Sequence, residues 1–317
     1  QEGERITLGE GDSPTVELNR LATELGLKSL WAKLEYLTPT GSFKDRGSSI
    51  MVSVAREEDV IEFVEDSSGN AGASLAAFAA AAGIRAHIFV PSSTSEGKLD
   101  QIRVYGAVLH AIEGPRQAAT EAAQAMVATK GMVYLSHNYS PYFAEGMKSF
   151  SYEAAASDAA DAQHVVFPVG NGSLLVGAGK GFDDLAEAGV LAVAPKLHCV
   201  QADSISPVVA AINGTPWSWD PEARTVASGI SVSKPPRIRQ VVNAVQNSEG
   251  SAVAVSDESI LRWQRRLAVK EGVFCEATSA AAFAGLEQLI QRGVIPKGSQ
   301  VLVPITGSGL KEPLAFQ

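Results

Sequence analysis

Residues 60–83 read VIEFVEDSSGNAGASLAAFAAAAG: an apolar strand, a polar turn and an alanine-rich helix in direct succession. The same order recurs along the chain. Further strands are predicted at 29–35, 86–91, 107–112, 132–137, 164–170, 196–202 and 300–307. Helices are predicted at 46–58, 71–82, 95–105, 116–130, 145–157, 173–188, 257–271 and 278–292. Because several strands are apolar almost throughout and alternate with helices, the sequence predicts an α/β fold with doubly wound parallel sheets.

The composition narrows the class of protein. The 317 residues carry a net charge of -9, which argues against a nucleic-acid partner, since that needs a basic face. No apolar run approaches the ~20 residues of a membrane span. The two cysteines, Cys199 and Cys275, lie far apart and lack a CxxC spacing, so we expect no metal site, no disulfide framework and a reducing cytoplasm.

Ligands of open α/β sheets bind in the turns that follow the carboxyl ends of strands. Four such turns have an unusual composition. They are TGSFKDRG (40–47), EDSSGNAGAS (65–74), VGNGSLLVGAGKG (169–181) and PITGSGLKEP (304–313). The third turn favours an anion, because its glycines let the backbone and a helix N-terminus close on a phosphate. It matches neither the Walker loop nor GxGxxG, and a plain tight connection is the alternative.

The first two turns are also ambiguous when taken alone. Lys44 is placed where a helix begins, and the positive end of the helix dipole favours a free amine there. A solvated lysine is the alternative, with Asp45 and Arg46 either paired with each other or facing solvent. The second turn offers hydroxyl, amide and backbone N–H groups for a carboxylate, although Ser or Asn capping a helix from 71 explains them equally.

Together the four turns supply an amine nucleophile, a phosphate cradle, a carboxylate cradle and a polar turn, which is the set that a pyridoxal phosphate site needs. PTGSFKDRG, SSGNAGAS, GNGSLL, EATSAAAFAGL (276–286) and ITGSGLKEP resemble, in the same order, motifs of fold type II pyridoxal phosphate enzymes. Within that superfamily the chain is similar to the threonine synthases, and the opening LGEGDSP (8–14) also resembles their start. The resemblance covers nearly the whole chain.

This resemblance implies two doubly wound parallel-sheet domains with the cofactor in the cleft between them. Residues 1–40 and 150–317 would form a large, phosphate-binding domain, and 41–149 a smaller domain with the asparagine loop. A homodimer acting on a small amino-acid substrate is also implied. The Pro- and Trp-containing stretch 213–237 predicts a long ordered loop near a cleft or an interface, or a plain surface excursion.

The resemblance also implies roles for individual residues. Lys44 would form the Schiff base with pyridoxal 5′-phosphate and shuttle protons, Asn70 would bind the 3′-oxygen of the cofactor, and Thr306 would face its pyridine nitrogen. The cofactor phosphate would be held by Gly170, Asn171, Gly172, Ser173 and Leu174. The substrate would be bound by Ser67, Ser68, Ala71 and Asn138.

The implied reaction converts O-phosphohomoserine and water to threonine and phosphate. Many threonine synthases carry an arginine two residues before a Glu-Gly pair, and this chain has Phe143 there. Asn138, Ser140, Lys148 or His137 are candidates to compensate, and Ser308 stands where His or Asn is common. Phe143 therefore keeps open a serine/threonine dehydratase or a synthase that acts on an O-activated serine. A non-catalytic homologue is disfavoured because Lys44 and Asn70 are both present.

Overall fold

A computed structural model describes residues 5–94, 96–114 and 116–312. Its strands are β1 (Thr15–Glu17), β2 (Ser29–Lys33), β3 (Glu62–Glu65), β4 (Arg85–Pro91), β5 (Val108–Ile112), β6 (Val133–Tyr134), β7 (His164–Pro168), β8 (Lys196–Ala202), β9 (Ala252–Val255) and β10 (Gln300–Pro304). Its helices are α1 (Asn19–Leu25), α2 (Lys44–Glu57), α3 (Asn70–Ala82), α4 (Glu96–Val104), α5 (Arg116–Lys130), α6 (Pro141–Gly146), α7 (Ser149–Ala155), α8 (Ser173–Glu187), α9 (Pro207–Asn213), α10 (Ile238–Asn247), α11 (Asp257–Glu271) and α12 (Ala277–Gln291). Two 3₁₀ turns lie at Ser228–Ile230 and Gly309–Lys311.

The chain forms two compact units, each with its own sheet. The small unit comprises residues 1–10 and 38–146, and the large unit comprises residues 11–37 and 147–317. These bounds differ from the predicted domains at the N-terminal segment, which was expected in the larger domain. Ile6 is held in the small unit because its N–H donates to Ser53 Oγ at 2.9 Å and its carbonyl accepts from Ser49 Oγ at 2.8 Å.

The small unit contains a four-stranded parallel sheet in the order β5-β4-β3-β6. On one side of it, Val64 and Phe89 pack with Ala119 and Ala123 of α5 and with Met132. This packing fixes the end of β3, and therefore the turn that leads from Glu65 into α3.

The large unit contains a six-stranded sheet in the order β1-β2-β10-β7-β8-β9. Its pairs are parallel except at the edge, where β1 runs antiparallel to β2. Helix α12 lies against β7, β8 and β9, and Phe283 within it stacks on Trp263 with ring centroids 6.0 Å apart. The predicted α/β class is confirmed, with β1 as an antiparallel exception.

The predicted elements all form, with bounds shifted by a few residues. Sequence reasoning missed β1, β9, α1 and α9, which have seven residues or fewer. It also missed the ten-residue α10, although its apolar residues follow a helical period. It also missed α6, apart from the last two residues, which the helix predicted at 145–157 includes. Proline is favourable at the first position of a helix, where its missing N–H has no partner to lose, and Pro141 begins α6.

The stretch 213–237 is largely irregular and contains the 3₁₀ turn Ser228–Ile230. Within the described ranges, every helix is too short or too polar to cross a bilayer. The strands that matter for function are β3, β7 and β10, because each leads at its carboxyl end into one of the polar turns.

Candidate active site

Lys44 is the first residue of α2, as the sequence predicted. A tight turn precedes it, in which the N–H of Gly41 donates to the carbonyl of Thr38 at 2.9 Å. Gly41 has φ +80°, a left-handed conformation that favours glycine. Thr38 Oγ1 then donates to the carbonyl of Ser42 at 2.7 Å. The turn therefore has a defined shape, and it delivers Lys44 to the N-terminal end of the helix.

The amine of Lys44 lies against two aromatic rings. Its Nζ is 4.6 Å from the ring centroid of Phe43 and 5.6 Å from that of Phe143. Phe143 is 0% exposed, so the residue that replaces the expected arginine forms part of the buried surroundings of the amine. Lys44 as a whole is half-buried, and these rings cover part of its amine.

Asp45 is buried, as is Arg46, so the expectation that they might face solvent is wrong. The carboxylate of Asp45 accepts from the N–H of Thr40 at 2.8 Å, from Thr40 Oγ1 at 2.5 Å and from Ser74 Oγ at 2.6 Å. Burial raises the pKa of Asp45, while the hydrogen bonds from Ser74 and Thr40 act in the opposite direction. Because Ser74 belongs to α3, this carboxylate ties the start of the lysine helix to the asparagine helix.

The asparagine loop runs from β3 into α3. Its helix begins at Asn70 with Gly69 as the N-cap, and among the described residues no side chain caps it, so the capping interpretation of Ser or Asn is wrong. Ser67 and Ala71 are buried. A Cβ at Gly72 would overlap the carbonyl of Ser67, which makes glycine necessary at this position. The first amides of α3 are thereby presented as a group that suits an anion.

Two consecutive carboxylates at the end of β3 were missed by sequence reasoning. Glu65 is hydrogen-bonded to the imidazole ring of His137, with Oε1 and Nδ1 2.5 Å apart. Asp66 accepts from Tyr134 Oη and from Thr120 Oγ1, each at 2.6 Å. Acidic residues directly after an apolar strand were the available signal. Through these hydrogen bonds, Glu65 and Asp66 fix the start of the asparagine loop.

The glycine loop in the large unit forms between β7 and α8. Gly172 has φ +83°, and a Cβ there would overlap Val241 Cγ2. A Cβ at Gly170 would lie 2.8 Å from the carbonyl oxygen of Gly229. Helix α8 begins at Ser173 with no side-chain cap. Close-fitting glycines and uncapped amides at the start of a 15-residue helix form a backbone cradle for a phosphate.

Thr306 follows β10 and is buried. Its Oγ1 lies 2.9 Å from Ser279 Oγ, which also accepts from the N–H of Gly307 at 3.3 Å. The neighbouring Thr278 Oγ1 accepts from the N–H of Gly229 at 3.0 Å. This chain of contacts joins the glycine loop to Thr306 through α12. Ser279 and Thr278 lie in the quoted motif EATSAAAFAGL, but no role was assigned to them.

The residues suggested as substitutes for the arginine are placed differently. Lys148 belongs to the large unit, where its Nζ pairs with Asp184 Oδ2 at 2.6 Å, and this contact raises the pKa of the lysine. Ser308, which was not among these substitutes but stands where His or Asn is common, accepts at Oγ from the N–H of Leu310 at 3.3 Å and so caps a 3₁₀ turn. His137 and Asn138 remain in the small unit beside Phe143, whose ring meets that of His137 edge-on at 5.6 Å.

In the two segments that carry Lys44 and Phe143, two buried polar atoms have no hydrogen-bond partner among the described residues. They are Ser42 Oγ, two positions before Lys44, and Asn138 Oδ1. A buried polar group without a partner destabilises the folded state by about 1–3 kcal/mol, the cost of removing it from water. Both atoms are therefore suited to contact a polar ligand near the amine of Lys44.

The comparisons with known proteins agree with this geometry. The family model described as pyridoxal-phosphate dependent enzyme matches residues 6–307. The threonine synthase of Methanocaldococcus jannaschii is 35% identical over 98% of this chain and 78% of its own length. That of Mycobacterium leprae is 36% identical over 97% and 84%.

Among solved structures, the processed form of threonine deaminase isoform 2 from Solanum lycopersicum matches 96% of this chain and 80% of its own. The TM-score is 0.81 at 21% sequence identity, a likeness that concerns the fold. The sequence identity to the threonine synthases and the range matched by the family model show, in addition, the family to which the chain belongs. The chain belongs to the family of pyridoxal-phosphate dependent enzymes, among its threonine synthase-like members.

Proposed function

We propose that this chain is a pyridoxal-phosphate dependent lyase of threonine synthase type, which converts O-phosphohomoserine and water to threonine and phosphate. The observation that carries the proposal is Lys44, held at the start of α2 against Phe43 and Phe143. The 35% identity to threonine synthases along almost the whole chain supports the same reaction.

The residues present fit the cofactor. The backbone cradle at 170–174 suits its phosphate, because the first amides of α8 have no side-chain cap and Gly170 and Gly172 pack too closely on Gly229 and Val241 to carry a side chain. Lys44 would hold the cofactor covalently, Asn70 would bind its 3′-oxygen and Thr306 its pyridine nitrogen. When bound, pyridoxal phosphate supplies an electron sink that makes the protons of an attached amino acid acidic.

The remaining work falls to side chains and amides of this chain. Ser67, Ser68 and Ala71 would bind the substrate carboxylate, using hydroxyl groups and the backbone N–H groups that precede and begin α3. The amine of Lys44 would take up the proton from the α-carbon, pass it on so that the amine is neutral again, and then take up a proton from the β-carbon. Its position at a helix N-terminus favours the neutral amine that accepts a proton.

Thr306 has a consequence for the type of reaction. A hydroxyl group does not hold a proton on a ring nitrogen as a carboxylate would. Its Oγ1 is already within 2.9 Å of Ser279 Oγ, so the hydroxyl is oriented by a neighbour. A weaker electron sink suits elimination and replacement at the side chain better than transamination.

A second candidate function rests on Phe143. An apolar, fully buried ring in place of a guanidinium removes a charge-assisted contact to a substrate phosphate. This favours a related α,β-elimination or β-replacement: a serine/threonine dehydratase, or a synthase that takes an O-activated serine.

A substrate comparison separates the two candidates. Purified holoenzyme is assayed for phosphate release from O-phosphohomoserine and for keto acid release from serine and threonine. We expect the higher kcat/KM with O-phosphohomoserine. A higher value with serine or threonine would replace the first proposal by the dehydratase, and turnover of none of these substrates would reject both the first proposal and the dehydratase.

We also propose a homodimer that acts in a reducing cytoplasm. Cys199 and Cys275 are both buried and free, which suits such a compartment. Light scattering on the eluting protein, with and without a reductant, would test the oligomeric state. A monomeric mass would contradict the dimer.

A further inference from the structure

Ser279 and Thr306 form a buried pair of hydroxyl groups in the large unit. Ser279 is 0% exposed and Thr306 3%, and their hydroxyl oxygens lie 2.9 Å apart. Ser279 Oγ also accepts from the backbone N–H of Gly307 at 3.3 Å. The proposed function assigns Thr306 to the pyridine nitrogen of the cofactor, but it leaves open which of the two hydroxyl groups donates to the other.

The sheet of the large unit places Thr306 beside the glycine loop that suits a phosphate. Strands β10 and β7 are parallel neighbours, with Leu302 level with Val165. Continued along the two chains, this register puts Thr306 level with Val169, next to Gly170. Neighbouring strands of a sheet lie about 4.8 Å apart. Thr306 therefore lies at the same edge of the sheet as the candidate phosphate cradle, after the adjacent strand.

The burial of Ser279 decides the direction of the hydrogen bond. Among the described residues, its hydroxyl group contacts the N–H of Gly307 and Thr306 Oγ1. The first contact uses the serine oxygen as an acceptor, so the serine hydrogen has Thr306 Oγ1 as its acceptor. If Thr306 donated instead, the hydrogen of a fully enclosed serine would lack a partner, at a cost of about 1–3 kcal/mol. Ser279 is therefore the donor.

This direction determines what Thr306 offers to a ligand. Because its oxygen accepts from Ser279, its own hydrogen points away from the serine. Within the part of the chain that the structure describes, the hydroxyl of Thr306 has no second partner that could accept this hydrogen. A hydrogen directed at a ring nitrogen requires a lone pair on that nitrogen. The pair of hydroxyl groups therefore favours an unprotonated pyridine ring.

Buried acids near this pair act in the opposite direction. Glu276, the N-cap of α12, is 5% exposed, and a Cβ on Gly307 would overlap its Oε2. Glu312 Oε2 accepts from the N–H of Ala277 at 3.2 Å. The thiol of Cys275 stays protonated, because burial and then these two carboxylates raise its pKa. Negative charges favour a protonated ring nitrogen, so the hydrogen of Thr306 has an electrostatic effect to offset.

We propose that Ser279 is a positioning residue, which makes Thr306 a hydrogen-bond donor and thereby keeps the pyridine nitrogen of the cofactor unprotonated. A ring without that proton withdraws electrons less strongly. It therefore suits the loss of a leaving group from the side chain and disfavours transamination. This inference rests on the proposed function, because it requires Thr306 to face the ring. It assigns control over the type of reaction to the serine together with the threonine.

The first test reads the ring nitrogen directly. Holoenzyme is prepared with pyridoxal 5′-phosphate labelled with nitrogen-15, and the resonance is followed without substrate across the pH range in which the protein stays folded. We expect the wild type to show the downfield resonance of unprotonated pyridine at neutral pH. Ser279→Ala allows Thr306 to turn and accept, so the upfield movement on acidification should begin at a pH about one unit higher or more.

Ser151→Ala is the matched control. Ser151 is also 0% exposed in the large unit, and its Oγ donates to the carbonyl of Ala178 at 2.6 Å. Both alanine variants lose one buried hydroxyl group and should lose similar stability in urea, but only Ser279→Ala should move the nitrogen resonance. Ser279→Thr keeps the hydroxyl group and should keep the wild-type resonance. If Ser279→Ala does not fold, Ser279→Cys, with its weak S–H donor, should move the resonance in the same direction.

The second test measures a side reaction. During turnover of the substrate that the comparison above selects, conversion of the cofactor to pyridoxamine 5′-phosphate reports transamination. Its rate relative to turnover should rise about tenfold in Ser279→Ala, the increase in protonated ring for one pKa unit, and should stay unchanged in Ser151→Ala. In Thr306→Val, which lacks the hydroxyl group, adding Ser279→Ala should change this ratio no further.

A protonated ring nitrogen in the wild type at neutral pH would overturn the inference and leave the proposed reaction intact. So would equal resonances in the wild type and Ser279→Ala, or an equal shift in Ser151→Ala. A wild type that binds the cofactor but turns over none of the substrates would reject the proposed reaction, while the resonance would still decide the role of Ser279. Failure to bind pyridoxal 5′-phosphate would reject both.

Discussion

The two units of this protein build their candidate functional turns from different materials. In the small unit the candidates are side chains: Lys44, with the buried carboxyl groups of Asp45 and Glu65 in the same unit. In the large unit the candidates are the backbone at Gly172 and the hydroxyl of Thr306. A group that forms bonds and moves protons needs charged neighbours to tune it, whereas a group that holds an anion needs backbone amides that no side chain covers. The small unit should therefore suffer most when side chains are removed, and the large unit when one is added.

The largest effect is expected for Lys44→Ala in the small unit. Removing both the covalent attachment and the proton carrier should lower turnover by about 1,000-fold or more. The yellow colour of covalently held cofactor should disappear, while circular dichroism shows a retained fold. Lys130→Ala, at the end of α5, is the control and should keep the colour. An unchanged absorption spectrum in Lys44→Ala would show that another residue holds the cofactor.

Gly172→Ala tests the large unit by addition. The new methyl group would overlap Val241 Cγ2, and φ is +83°. We therefore expect the free energy of unfolding to fall by about 1–3 kcal/mol and the cofactor to be retained more weakly. Gly189→Ala is the matched control, since Gly189 also has positive φ (+70°) but open space around its Cα. Cofactor release during dialysis and urea unfolding measure the two effects. If both variants behave alike, backbone strain alone explains the loss, and the close packing of the cradle does not matter.

The histidines of the two units sharpen the comparison. The small unit pairs His137 with a carboxylate, whereas the large unit pairs His164 Nδ1 with His198 Nε2 at 3.0 Å, and His198 Nδ1 accepts from Ser251 N–H at 3.1 Å. Burial, followed by the charge of His164, lowers the pKa of His198 to about 3.

A histidine whose pKa is lower in the folded state than its usual 6.5 stabilises the fold fully above that value. The contribution is then lost progressively as pH falls toward 3. Between pH 6.5 and 5 the loss should be about 2 kcal/mol, at 1.36 kcal/mol for each pH unit. Urea midpoints at the two pH values measure it, and His198→Gln should flatten the dependence. An equally steep dependence in this variant would assign the acid sensitivity to other groups.

The smallest effect concerns Phe143, where the small unit has a ring instead of a cation. Phe143→Arg should lower the KM for O-phosphohomoserine by about tenfold, or 1.4 kcal/mol, since a guanidinium adds a charge-assisted contact to phosphate. Phe143→Leu controls for the loss of the ring. If Phe143→Arg changes the KM no more than Phe143→Leu does, this position lies away from the substrate phosphate.

Much of the fold was predictable because the spacing of apolar residues within a short segment distinguishes strands from helices. The predicted strands and helices form, and Lys44 begins its helix as expected. The misses were short elements such as β9, whose four residues give little periodicity to detect. The antiparallel pairing of β1 with β2 was also missed, because the three-residue β1 was not predicted at all.

The sequence by itself determined the candidate parts of the site: the lysine before a helix, the asparagine loop, and the glycine-rich turn between a strand and a helix. These are properties of a few consecutive residues, and local backbone geometry sets them. Only the tertiary structure decided that Asp45 meets Ser74, 29 positions away, and that Glu65 meets His137, 72 positions away. Such contacts depend on which surfaces the packed core brings together. The ionisation of a buried group depends on those neighbours, so its chemistry was decided by the fold.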